Sequence, residues 1–62
     1  MKAFEDHLEE AEQYCENCTT KQLNNIICDE KQRLKHFERK NEIAVASRAM
    51  LRAAKNELKR RT

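Results

Sequence analysis

Apolar residues recur at helical spacing along most of this 62-residue chain. Phe4, Leu8, Ala11, Cys15 and Cys18 follow steps of four, three, four and three, which sets them on one helical face. His7 and Tyr14 flank that stripe, and Glu5, Asp6, Glu9, Glu10 and Glu12 cover the remainder. Acids in the first turns also suit the positive end of a helix dipole. The spacing predicts an acidic amphipathic helix over about residues 2–16, packed by a narrow stripe against something larger.

The pattern is interrupted around Asn17–Thr20. Thr19 followed three residues later by Gln22 fits a capping box, in which the hydroxyl accepts from one backbone N–H and the amide reaches back to another. A new helix therefore starts there, with Asn17 and Cys18 as the corner. Beyond it a heptad frame runs through Leu23, Ile26, Glu30, Arg33, Phe37, Lys40, Ala44, Ser47, Leu51, Ala54 and Leu58. Ile27 and Leu34 widen the stripe in its first half, as expected of a bundle helix rather than a strict zipper. Glu38–Glu42 is the weakest point, where Asn41 offers a cap for a third helix. Nothing there forces a turn, so one long helix over about 20–60 is expected, with a break near Asn41 as the alternative. Residues 43–54 are rich in alanine and apolar nearly all round, which predicts close contact on more than one face.

Composition narrows the class. With no Gly and no Pro, the turns of a β-rich fold lack their usual residues. At 39% charged and 39% apolar, with two Phe, one Tyr and no Trp, a chain of this length makes one small domain with a thin core. Such chains usually gain stability from a disulfide, a metal or a partner. Pairing of two chains is therefore expected, with a seam at Leu23, Ile26, Ile27, Leu34, Phe37, Ala44, Leu51, Ala54 and Leu58. A seam of that kind makes Phe37→Asp a change that yields monomer and loses helicity. No apolar run is long enough for a membrane span or a signal peptide, and an odd count of three cysteines suits a reducing compartment, so a cytoplasmic location is expected.

Charge is unevenly distributed. Residues 1–20 carry one Lys against six acids, net −5, and residues 21–62 carry twelve bases against five acids, net +7. Arg48, Arg52, Lys55 and Lys59 follow helical steps and form a basic stripe beside the alanine-rich face. That stripe is a candidate contact for an acidic partner or for nucleic acid. The solvated or acidic-partner reading is favoured, because stacking aromatics and a known DNA-binding frame are both missing.

Cys15 and Cys18 form a C-x-x-C, and with Cys28 and His7 or His36 they supply a zinc set by residue type. A second closely spaced ligand pair is absent, and both cysteines also continue the apolar stripe, so packing as small hydrophobes is expected and no metal or other cofactor is. Neither His has a partner at catalytic spacing, and phosphate-cradling Gly loops are excluded, so no enzyme is expected.

Cys18-Thr19, then Leu23, then a long charged helix with an alanine-rich middle at Ala44–Ala46 resembles the N-terminal oligomerisation module of the H-NS nucleoid-protein family, over Glu16 to about Leu58. A fainter likeness to the small Hha-type partners of those proteins lies in Leu23, Ile27 and the later Ala-Arg positions. The resemblance implies a short helical start, a Cys-Thr corner and a long helix that pairs with a second chain. It further implies a small regulator, of the kind found on phages and mobile elements, that acts on host nucleoid or transcription proteins. The whole reading is an all-α helical hairpin over 1–62 that homodimerises and binds another protein. A basic nucleic-acid-binding regulator is the alternative, and a small zinc protein the second.

Overall fold

The acidic stripe, the capped middle segment and the alanine-rich segment each form a separate helix. In the computed structural model, which describes residues 3–62, they are α1 (Phe4–Glu16), α2 (Thr20–Leu34) and α3 (Glu42–Arg61), with no strand among those residues. The expected start of the first helix at Lys2 lies outside the described residues. Within them, α1 opens after Ala3, whose carbonyl accepts from Asp6 and His7 at 3.1 and 3.3 Å, and Glu5 and Asp6 occupy its first turn. Acids there oppose the partial positive charge of the free N–H groups.

The corner at Asn17–Thr19 forms as expected. Asn17 N–H donates to Tyr14 O at 3.2 Å and Cys18 N–H to Cys15 O at 3.1 Å, which closes α1. Thr19 then makes the full capping box: Gln22 N–H donates to Thr19 Oγ1 at 3.1 Å, and Thr19 N–H to Gln22 Oε1 at 2.8 Å. Two N–H groups that the first turn leaves without helical partners are thereby satisfied locally.

The expected long helix is not one helix; the alternative, a break with Asn41 as the next cap, is what forms. α2 stops at Leu34, and Lys35 N–H and His36 N–H donate back to Gln32 O and Arg33 O at 3.1 and 3.0 Å. The chain reverses, and Asn41 caps α3 by accepting Ile43 N–H on Oδ1 at 2.8 Å. Phe37 and Lys40, which the heptad frame set on a helical seam, therefore sit in the connecting loop. The loop needs neither Gly nor Pro, because no described residue adopts a positive φ. Folding back lets the apolar side of α2 cover that of α3 within one chain, so the apolar area is buried without the entropy cost of joining two molecules.

Both α1 and α2 pack on α3. The reversal makes α2 and α3 antiparallel: Leu34 faces Ala44 near the loop, and Leu23 meets Ala54 at the far end. One core cluster joins all three helices and the first corner through Ala11, Cys15, Cys18, Leu23, Ala53 and Ala54. Leu8, Ile26, Ile27, Met50 and Leu58 pack around it, half-buried. Alanine at Ala44, Ala49, Ala53 and Ala54, each no more than 1% exposed, lets α3 be covered closely, which fulfils the expectation of contact on more than one face.

Two buried carboxylates lie along the packed helices. Glu57, 8% exposed, accepts from Arg61 Nε at 2.9 Å and is 3.8 Å from Arg60. Arg61 also donates to Cys15 O at 3.4 Å and Glu16 O at 3.5 Å, carrying positive charge onto the last carbonyls of α1. Among the described residues, no helix is long and apolar enough to cross a membrane.

Candidate interaction surface

The seam residues divide by whether they join this chain's core. Leu23 is 0% exposed, Ala54 0% and Ala44 1%, all enclosed by this chain's own helices. Ile26, Ile27 and Leu58 pack against the same core and keep only part of their surface. Leu34, Phe37 and Leu51 are different. Leu34 and Leu51 are half-buried and Phe37 is 37% exposed, on the outer side of the α2–α3 pair.

Those three side chains are the large apolar lining of two shallow depressions. The larger, about 340 Å³, is lined by Leu34, Phe37, Arg39, Ala44 and Arg48. The other, about 220 Å³, is lined by Arg48, Leu51, Arg52, Lys55 and Asn56. Arg48 lines both, so the two adjoin there. Positions 44, 48, 51 and 55 follow steps of four, three and four, which makes them a single row along α3. The basic stripe expected at Arg48, Arg52, Lys55 and Lys59 thus joins apolar side chains on one surface, although Lys59 lines neither depression.

Arg39 and Asn56 complete the lining without having been expected. Arg39 lies in the loop, and only the chain reversal brings it beside Arg48. No periodic signal marks a loop side chain as neighbour of a residue nine positions on. No carboxylate lines either depression. Arg39, Arg48, Arg52 and Lys55 make no ion pair among the described residues, in contrast to Arg33, Arg60 and Arg61.

A third depression, about 230 Å³, opens elsewhere along the α2–α3 contact between Glu30, Arg33, Ile43, Ala46, Ser47 and Met50. Glu30 is 8% exposed; its Oε1 pairs with Arg33 at 3.3 Å, while its buried Oε2 has no hydrogen-bond partner.

The cysteines are separated by burial. Cys15 and Cys18 are 0% and 7% exposed within the core, whereas Cys28 is exposed on α2. Cys15 Sγ lies 3.9 Å from Met50 Sδ, and Cys18 Sγ donates to Tyr14 O at 3.4 Å. Burial pushes the Cys15 thiol above its ordinary value, with the neighbouring Cys18 and Glu57 acting in the same direction and Arg61 opposing them. A thiol so held is protonated and unreactive at neutral pH. Among the described residues no three His, Cys, Asp or Glu side chains are grouped as a metal would require. His7 is half-buried with an unpartnered Nε2, and His36 is exposed in the loop.

Comparison with family models, with curated proteins and with solved structures found no match to this chain.

Proposed function

We propose that this chain is a small helical interaction module that regulates another protein by binding it through the surface around Leu34, Phe37, Arg48, Leu51 and Arg52. The observation that carries the reading is the meeting of apolar side chains with four unpaired cations on one surface. Exposed apolar area that a chain does not use for its own core is a common mark of a binding surface. Aromatic and arginine side chains are also enriched at protein interfaces.

The resemblance to the H-NS module supplies the further proposal that the target is a bacterial nucleoid or transcription protein, and the carrier a phage or mobile element. The break between α2 and α3 departs from the uninterrupted helix of that resemblance, so the resemblance supplies the class of target and the surface supplies the binding mode. A homodimer would use Leu34, Phe37 and Leu51, because Leu23, Ala44 and Ala54 are enclosed.

Affinity purification from a bacterial lysate tests the reading, with sedimentation of the purified chain beside it. Recovery of a nucleoid or transcription protein by the native chain, but not by Phe37→Asp, supports it. Recovery of no protein, together with retention on duplex DNA that falls steeply with salt and with Arg52→Glu, favours the nucleic-acid alternative.

A further inference from the structure

The two depressions meet at Arg48 and make a shallow groove of mixed lining. Leu34, Phe37 and Leu51 are its apolar members, and Arg39, Arg48, Arg52 and Lys55 are interspersed with them. From Ala44 to Lys55 the row spans about 16 Å at the rise of an α-helix, the length of about three turns of a second helix laid beside it. An occupant has to bring apolar side chains and negative charge to the same surface.

We infer that this groove takes an acidic amphipathic helix from a different protein. Apolar side chains two turns apart seat against Phe37 and Leu51, and flanking Asp or Glu residues reach Arg39, Arg48, Arg52 and Lys55. The inference rests on the interaction reading above and names the chemistry of the partner.

Two other occupants fit less well. A second copy of this chain is acidic on α1, but Leu8, Ala11 and Cys15 are already in its own core, and Tyr14 is the one large apolar side chain that α1 leaves exposed among the described residues. A symmetric pairing through the groove would set Arg48 and Arg52 against their own copies, and like charges opposed across an interface are unfavourable. A nucleic-acid backbone would neutralise the cations but leave Leu34, Phe37 and Leu51 facing phosphate and water.

The test is a titration of the full chain, followed by fluorescence anisotropy, with a labelled synthetic helix of about 14 residues carrying Leu on one face and Glu on its flanks. Three comparison probes are used: the same peptide with Ser for Leu, the same with Lys for Glu, and a short DNA duplex. The acidic amphipathic peptide should bind at least about ten-fold more tightly than each comparison probe. Leu51→Asp and Arg52→Glu should each weaken it by about ten-fold or more with helicity unchanged by circular dichroism. Arg52 is exposed on α3, so its substitution leaves the core intact should Leu51→Asp lose structure.

Equal binding by the Ser-for-Leu peptide, preference for duplex DNA, or indifference to both substitutions would overturn the inference. So would self-association of the native chain that Arg52→Glu or Leu51→Asp abolishes. A natural partner captured equally by the native and Arg52→Glu chains also overturns it, while leaving the broader interaction reading in place.

Discussion

Two faces of α3 are packed in opposite ways. On one, Ala53 and Ala54 meet Ala11 and Cys15 from α1 and Leu23 from α2, and Arg61 reaches back to the carbonyls that end α1. On the other, Leu34 and Phe37 meet Ala44 across an open depression, and no α1 residue lines that depression or the one beside it. Three helices enclose the face of α3 that carries Ala53 and Ala54, whereas the face that carries Arg48, Leu51, Arg52 and Lys55 stays open. The enclosed face holds the core, and the open one keeps apolar and cationic side chains at the surface.

The largest test of that contrast is a pair of leucines. Leu23 is fully buried, so Leu23→Ala should cost about 2–5 kcal/mol, from lost transfer energy and the cavity left behind. A chain this small has only about 3–9 kcal/mol in total, so the loss is a large share of its stability and the urea midpoint should fall steeply. Leu51→Ala, in the groove, should cost under about 1 kcal/mol. Urea titration followed by circular dichroism measures both, and equal losses would erase the distinction between the enclosed and the open face.

Next is the close approach at Ala54. Adding bulk by Ala54→Leu should destabilise by about 1–3 kcal/mol through strain, because α1, α2 and α3 share that cluster. A neutral outcome in thermal melting would mean that the enclosed face has slack. The loop boundary comes third. Asn41→Ala removes the cap on Ile43 N–H and should cost about 1 kcal/mol, read as a lower melting temperature. Phe37→Asp, now in the loop, should leave helix content near native and impair partner binding, which circular dichroism and the lysate capture read separately.

The smallest effect is seen only in alkaline solution. The Cys15 thiol is held above its ordinary value of 9.0, so below that value it is protonated in both the folded and the unfolded chain, and its contribution to stability is fully present. As pH rises past 9.0 the unfolded chain releases this proton first, and stability falls until the folded thiol ionises too. Cys15→Ala should flatten that alkaline decline, whatever its cost at neutral pH. Urea midpoints at several pH values check the slope, and an unchanged decline would assign it to other groups.

Most of the local structure was legible in the residues. The apolar stripe of α1, the Asn17–Cys18 corner and the Thr19–Gln22 capping box all depend on neighbours within four positions, and all formed. The basic row of α3 was legible for the same reason. The break after Leu34 was legible only as the alternative that Asn41 offered as a cap, because the loop uses no left-handed backbone that would call for Gly. Arg39 was illegible as a groove residue, since its neighbour is set by that reversal.

Sequence alone therefore determined that these segments are helices, where the second one begins, and which side of each must be covered. Periodicity marks a side that needs burial, because apolar side chains at i, i+3 and i+4 share a surface whatever lies against it. It does not say whether the cover comes from the same chain or another. Tertiary structure decided that. With α3 folded back on α2, Leu23, Ala44 and Ala54 are enclosed within one molecule, and Leu34, Phe37 and Leu51 remain outside beside Arg39, Arg48, Arg52 and Lys55. The physical reason is that intramolecular cover buries the apolar side without the entropy cost of association, as far as the length of α1 and α2 allows.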